Sequence, residues 1–369
     1  MEKVITFIVT KTCQLKCKYC YLVGKNNSGQ MSWAIAQKAI DYILDNKRLF
    51  PEDSVVFDFT GGEPLLNIAL IDTITSYVLK CLREKNHPWL HNCSFRITTN
   101  GLLYADKKVQ NYIRKYQSYL RISISIDGTR QKNDTNRIFP NGEGSYDKII
   151  KNIPLWLKQF PNSVTRMTIS SIDAPYIYES AVHLISLGIK NIDISTVVED
   201  VWRDGDEKVV EDELLKLADY LIEHDLWKRI YISSFEKNIG HPQNVEDIAT
   251  PCGGMTLSID SQGNFFPCMR FAKYSLRTKK ERSIGSIYTG IDKNRIRPLM
   301  AIDYQTINIR QCSKCEIATG CKWCPAENYD SSDTGTIFQR TTTICKIHRA
   351  KVRAKYYFYK KLESRYGEY

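Results

Sequence analysis

Apolar runs rich in β-branched and aromatic residues alternate with stretches of helical period through the first two thirds of the chain. Val4–Thr10 predicts a strand. Ser32–Lys47 predicts a helix, with Ser32 as its cap and Ile35, Ala39 and Ile43 along one face. The same alternation gives strands at Val55–Phe59, Ser94–Thr99, Arg121–Ile126, Val164–Ser170 and Asn191–Val197. Helices fall at Leu70–Lys85, Asp106–Tyr116, Ser145–Phe160 (with Pro154 inside it), Ile177–Leu187 and, later, Asp212–His224. Six strands, each but the last followed directly by a helix, imply a parallel sheet with right-handed crossovers.

Near Pro251 the pattern changes. Glycine, cysteine and short hairpin-like runs replace the alternation, and TLSIDSQGNFFPC predicts strand, turn at Asp260–Gly263, strand. A boundary is expected between about 225 and 250.

The 369 residues are 43% hydrophobic, enough for a large core. No run of about 18 apolar residues stands out, so no membrane span is expected. Met1-Glu2-Lys3 leads straight into a strand, which leaves no secretory signal and points to the cytosol. Twelve cysteines in such a chain suggest metal binding rather than disulfides, and with only six histidines the ligands are thiolates. The formal charge is +11. It gathers at the end, where Lys346 to Tyr369 carries eight basic against two acidic side chains. That tail is either a solvated helix or a docking face for an acidic partner. The acidic stretch Glu199–Glu213 is expected to be a solvated loop and helix start.

Cys13, Cys17 and Cys20 form Cys-x3-Cys-x2-Cys directly after the first strand. Three thiolates on a [4Fe-4S] cube leave one iron open to a substrate or cofactor. A structural zinc ion wants four closed ligands, and the nearest candidates, Cys81 and His87, are distant in sequence.

FTGGEPLL follows the second strand, TTNG the third, SISIDG forms the fourth, and NDTNRIFPNGEGS comes after it. With the cysteine triplet, these motifs resemble the radical S-adenosylmethionine (AdoMet) superfamily. The resemblance implies a partial (β/α)6 barrel with its site at the C-terminal strand ends. It also implies that Cys13, Cys17 and Cys20 hold the AdoMet cluster. Gly61, Gly62, Glu63 and Pro64 would meet the methionyl amine, Arg137 its carboxylate, and Tyr19 the adenine. Asn100 and Ser125 match ribose or carboxylate positions, and Val197 the adenine pocket. One electron would then cleave AdoMet to methionine and a 5′-deoxyadenosyl radical, which takes hydrogen from a C–H bond.

Cys252, Cys268, Cys312, Cys315, Cys321, Cys324 and Cys345 resemble the SPASM extension of that superfamily, with Cys321-x2-Cys324 one residue shorter than usual. The family pattern gives Cys312, Cys315, Cys321 and Cys345 to auxiliary cluster II, and Cys252, Cys268 and Cys324 to auxiliary cluster I. The stretch NVEDIATP lacks the further cysteine of fully ligated members, so cluster I has an open iron. The expected cofactors are AdoMet and three [4Fe-4S] clusters. The expected fold class is α/β, with the barrel over 1–225, a bridging region over 226–250, a Cys-rich SPASM domain with a β-hairpin over 251–346, and a basic C-terminal helix over 347–369. Cys81 and Cys93 are expected as buried small hydrophobes.

An open auxiliary iron suits a thiol substrate, as in sactipeptide and ranthipeptide thioether maturases. YCYLVGKNNSGQMS and KNIPLWLKQFPNSVTRMTIS resemble the freyrasin-type subgroup acting on Cys-x-x-x repeats. The implied activity is thioether crosslinking of a ribosomally made Cys-containing precursor peptide, with a flavodoxin or ferredoxin-like electron donor and with neither nucleic acid nor membrane as partner. Anaerobic sulfatase-maturating enzymes are the alternative, but they place an acidic base where Met269 follows Cys268. Carbon–carbon crosslinking SPASM enzymes are another. A zinc-binding nucleic-acid module is the rival of a different class. No catalytic base is evident. The chain leaves no room before Val4 for the winged-helix domain many such enzymes carry, so a leader peptide is expected to bind elsewhere.

Overall fold

The computed structural model describes residues 1–26, 29–199, 201–241, 252, 254–302, 309–321 and 323–367. The first half runs β1 (Glu2–Thr10), α1 (Trp33–Asp45), β2 (Ser54–Gly61), α2 (Ile68–Glu84), β3 (Cys93–Thr99), α3 (Lys107–Tyr116), β4 (Leu120–Ile124), α4 (Arg130–Asn136), α5 (Tyr146–Ile150), α6 (Ile153–Gln159), β5 (Val164–Ile169), α7 (Ile177–Ser186) and β6 (Asn191–Thr196). There follow α8 (Asp206–Glu223), β7 (Tyr231–Ile232), β8 (Thr256–Ile259), β9 (Asn264–Phe266), β10 (Gly285–Ser286), β11 (Gly290–Ile291), α9 (Lys293–Met300), α10 (Arg310–Ser313), α11 (Pro325–Ser331) and α12 (Cys345–Tyr366). The chain divides into two compact units. One takes Met1–Gln14, Cys20–Ser123 and Thr250–Ile302; the other takes Leu15–Tyr19, Ile124–Ala249 and Asp303–Tyr369.

The first unit is built on one sheet, ordered β11-β10-β9-β8-β1-β2-β3-β4. β1 is buried along almost its whole length because both its faces are covered, as in parallel sheets. Phe7, Phe57, Phe59 and Phe95 are fully buried and stack across β1, β2 and β3, with ring centroids 5.6–6.5 Å apart. Burying each such ring stabilises the fold by roughly 1.5–3 kcal/mol. The expected hairpin forms, with Ser258 opposite Phe266, and β8 also pairs parallel with β1, Val4 to Thr256. Ser32 caps α1, accepting from the Ile35 amide, and Asp106 caps α3. Pro64–Glu84 is long and apolar enough to cross a membrane by length and composition alone. More than half of its most apolar stretch is buried, because Ile71, Ile74, Val78 and Leu82 pack inward as in a core helix.

In the second unit β5, β6 and β7 form a parallel sheet, and Ser125, just past β4, bridges to Arg166 of β5. Three expectations need correction. The helix expected over Ser145–Phe160 is two, α5 and α6, and Pro154 sits in the first turn of α6, where its missing N–H costs nothing. α8 begins at Asp206 instead of Asp212, with Asp206 and Glu207 facing the positive end of the helix dipole. α4 was not expected at all. Its buried residues are Lys132, Asn133 and Asn136, so apolar periodicity carries no trace of it. Lys132, fully buried, pairs with Asp173 at 2.7 Å and donates to the Thr168 carbonyl; Asn136 also donates to Asp173. Removing one partner of such a pair would cost about 3–5 kcal/mol.

Two bases of the tail pair with the acidic stretch, and a third with an acid further along α8. α12 lies along α8, with Arg353 on Glu211 at 2.7 Å and Lys361 on Asp219 at 2.5 Å, and Lys346 pairs with Asp204. Lys351 donates to the Ile194 carbonyl at the end of β6. Phe358 stacks on Phe235 at 4.6 Å.

Candidate functional site

The loop after β1 carries the cysteine triplet. Cys13 and Cys20 fall in the first unit and Cys17 in the second. In the first unit the end of β2 lies against the loop backbone. Gly62 N–H donates to the Thr10 carbonyl at 2.9 Å, and Glu63 N–H to that of Thr12 at 2.8 Å. Gly61 has φ +155°, and an added Cβ would stand 2.0 Å from the Thr10 oxygen; at Gly62 it would stand 2.2 Å from the Thr12 oxygen. Glycine is therefore required here by the approach of the cysteine loop itself, a neighbour that the reading of these glycines for a methionyl amine left out.

Glu63 is buried. Its Oε1 accepts from Leu65 N–H and the Thr99 hydroxyl, and its Oε2 from Asn100 N–H at 2.7 Å. The carboxylate ties the end of β2 to the end of β3, with Pro64 opening the turn behind it. The Asn100 amide in turn reaches Cys13 Sγ at 3.9 Å and Gln14 Oε1 at 3.2 Å. Asn100 thus touches the cluster loop directly.

In the second unit the loop pairs with the segment after α4. Lys16 N–H donates to the Ile138 carbonyl and Lys18 N–H to that of Asn136. This brings Tyr19 to Arg137. The Tyr19 hydroxyl donates to Asp127 Oδ2 at 2.5 Å and accepts from Arg137 Nη1 at 3.0 Å. Asp127 Oδ1 accepts from Thr168 N–H. Burial pushes the Tyr19 phenol well above its ordinary pKa, and burial also raises Asp127. Arg137 is buried, yet its Nε has no partner among the described residues. An orphaned guanidinium N–H suits the carboxylate that the motif implies. Ser125 lies at the β4–β5 bridge. Val197, buried just past β6, donates to the Ile169 carbonyl.

The Cys-rich region brings two groups of thiols together. In the first unit Cys268 lies within hydrogen-bond reach of Cys252, and that contact, with burial, holds its thiol well above the ordinary range. In the second unit Cys312, Cys315, Cys321, Cys324 and Cys345 line one cavity of about 150 Å³. Burial pushes Cys321 up to about 11, against Arg340 and with Cys345, Cys312 and Cys315 adding to the rise. Cys345 is raised by burial and by Cys312 and Cys315, against Arg340 and Arg349. These four are the set the resemblance assigned to one cluster. Cys324, the N-cap of α11, lines the same cavity, although the resemblance gave it to the other cluster. A void this large, ringed by thiols, is not ordinary core packing. Among the described residues no three His, Cys, Asp or Glu side chains are arranged to hold a single metal ion. The thiol donors of both groups fit iron–sulfur clusters, with Glu327 and His348 also lining the second group's cavity. NVEDIATP, 244–251, lies outside the described residues.

Sequence reasoning missed Asp127, Arg340 and Arg349. Asp127 lies inside the SISIDG motif and was legible as a buried strand-end acid. Arg340 donates to the carbonyls of Ala318 and Cys321, and Arg349 to Cys315 Sγ at 3.7 Å. No sequence signal marks either. Cys81 is buried as expected, and burial pushes the half-buried Cys93 up to about 11.

Residues 7–171 match the Radical SAM superfamily. Over that stretch the chain is similar to radical SAM proteins. The family implies AdoMet and a [4Fe-4S] cluster on the opening cysteines. An uncharacterized protein of Methanocaldococcus jannaschii is 34% identical over 188 residues, half of this chain and 59% of that protein. This chain therefore spans less than two thirds of that relative. The serine-type anaerobic sulfatase-maturating enzyme of Bacteroides thetaiotaomicron is 22% identical over 89% of this chain and 83% of its own length. Native anSMEcpe, solved with AdoMet and a Cp18Cys peptide bound, shares the fold with a TM-score of 0.71 at 17% identity, over 99% of this chain and 97% of that one.

Proposed function

We propose that this protein is a radical SAM peptide maturase that joins the sulfur of a precursor-peptide cysteine to a carbon of the same peptide. The observation that carries the reading is the thiol inventory of the Cys-rich region. Four thiols face one another at Cys312, Cys315, Cys321 and Cys345, and Cys252 and Cys268 form a second, paired set. With Cys324, the total is seven, one short of two fully ligated cubes. One of the two auxiliary cubes would then keep an iron for a substrate thiolate.

When bound, the clusters would supply the electron that opens AdoMet and take one back when the C–S bond closes. The peptide C–H hydrogen leaves in 5′-deoxyadenosine, and the thiol proton leaves to solvent. Arg137 would fork onto the methionyl carboxylate of AdoMet, with Tyr19 bonded to the guanidinium, and Glu63 and Asn100 hold the loop that carries Cys13. An external one-electron donor of flavodoxin or ferredoxin type completes the cycle.

Sulfatase maturation is the second reading, favoured by the length of the match to the Bacteroides enzyme. Against it stands Met269, whose sulfur accepts from the hydroxyls of Tyr21 and Thr60 where that reading needs an acidic base. Anaerobic incubation of the reconstituted enzyme with AdoMet, reductant and a Cys-x-x-x-repeat peptide tests the choice. Loss of two hydrogens per crosslink, with the thiol no longer alkylatable, is expected. Conversion of a sulfatase peptide to the aldehyde, with the repeat peptide untouched, reverses it.

A further inference from the structure

Two guanidinium groups face the thiols of the second unit. Arg340 and Arg349 line the cavity of about 150 Å³ together with Cys312, Cys315, Cys321 and Cys345. Arg340 is 3% exposed. It donates to the carbonyls of Ala318 and Cys321, which are neutral, and pairs with no carboxylate among the described residues. Arg349 reaches in from the surface and donates to Cys315 Sγ at 3.7 Å, again with no carboxylate partner among the described residues. Glu327 is the one carboxylate of the lining, and its Oε1 accepts from the Ser331 hydroxyl. The placement follows from α12. That helix begins at Cys345, and Arg349 stands four residues on, one turn along the same face. The positive end of its dipole therefore also falls at the cavity.

A buried charge without a counter-charge is costly, so this cavity suits an anion. A [4Fe-4S] cube on four thiolates is one, and it gains a further negative charge when reduced. Nearby cations and N–H···S bonds favour that reduced form and raise the reduction potential. We propose that Arg349 is a positioning residue that, with the charge of Arg340 in the same cavity, makes the cube on Cys312, Cys315, Cys321 and Cys345 the acceptor of the electron released at C–S bond closure. That use of the electron rests on the peptide-maturase reading. A carbon radical of the peptide joins the cysteine thiolate, the C–S bond forms, and one electron is left over. It reduces this cube and passes on to an oxidised carrier of flavodoxin or ferredoxin class.

The test is a redox titration, followed by EPR, of reconstituted wild type, Arg349→Met and Arg349→Lys. In Arg349→Met one cluster should become harder to reduce. Its ratio of reduced to oxidised form at the wild-type midpoint should fall about tenfold, or ~59 mV for one electron. The midpoints of the other clusters should hold. Arg349→Lys keeps the charge and loses the fork, so it should shift less. With a Cys-x-x-x-repeat peptide, crosslinks formed per 5′-deoxyadenosine should fall in Arg349→Met. Unchanged midpoints overturn the inference. So does loss of about four iron atoms from either variant, which would make Arg349 a support of the ligand loop. A shifted midpoint with undiminished crosslinking per 5′-deoxyadenosine overturns the acceptor role. A wild type that crosslinks no cysteine peptide, beside a shifted midpoint, overturns the maturase reading and leaves the tuning of the cluster by Arg349 standing.

Discussion

Arg137 and Tyr19 are 118 residues apart in sequence and meet at 3.0 Å, nitrogen to phenol oxygen, because the cysteine loop pairs with the segment that ends α4. The contact uses one nitrogen of the guanidinium and leaves Nε aimed at nothing described. Arg137→Lys keeps the charge and loses the fork. AdoMet affinity, measured by equilibrium dialysis, should fall at least about tenfold, while Tyr19→Phe, which only loosens the arginine, should lose less. A lysine variant that binds AdoMet as tightly as the wild type would remove Arg137 from the site.

Iron content separates the three thiol sets. Full reconstitution should give about twelve iron atoms per chain, and replacing Cys13, Cys17 and Cys20 together by Ala should remove about four of them. The triple variant should form no 5′-deoxyadenosine from AdoMet. Continued formation would move the AdoMet cluster elsewhere.

Gly62→Ala places a methyl group 2.2 Å from the Thr12 carbonyl oxygen. Backbone cannot yield as a side chain tip does. The cysteine loop should be displaced, and reconstitution should lose the iron of that cluster while the auxiliary iron stays. A variant with wild-type iron and AdoMet cleavage would show that the loop has slack.

Charge reversal on α12 distinguishes its two readings. Arg353 and Lys361 hold Glu211 and Asp219 of α8. The double variant Arg353→Glu, Lys361→Glu should lower unfolding free energy by about 1–2 kcal/mol in urea titration, and peptide affinity should not follow. Wild-type stability with weakened peptide binding would restore the docking face.

Acid stability should carry the mark of His87. Burial, with Lys47 and Lys85 nearby, pushes its pKa down to about 4 from 6.5, and its Nε2 has no partner among the described residues. A base lowered on folding binds its proton more readily when unfolded, so stability is full above pH 6.5 and drains as pH falls toward 4. His87→Asn keeps an acceptor for Trp89 N–H. It should flatten the melting temperature between pH 7 and 5 relative to wild type. Parallel pH profiles would be falsified evidence for this role and return the acid sensitivity to other groups.

Much of this protein is written locally. The six strand positions, the caps Ser32 and Asp106, the 258–266 hairpin and the cysteine spacings depend on neighbours a few residues apart, and they were legible. Glycine at 61 and 62 was legible too, though not its reason, which is the carbonyls of Thr10 and Thr12. Tertiary structure alone decided what polar residues do when buried. α4 hides Lys132, Asn133 and Asn136 against Asp173 and Ser145, an inverted pattern that hydrophobic periodicity cannot register. The basic tail reads as a free cationic surface until α12 meets α8 and its charges find Glu211 and Asp219. Which thiols face one another follows from chain segments brought together across long stretches of sequence. Spacing along the chain names the ligands; only packing, through burial and pairing of charge, fixes what surrounds them.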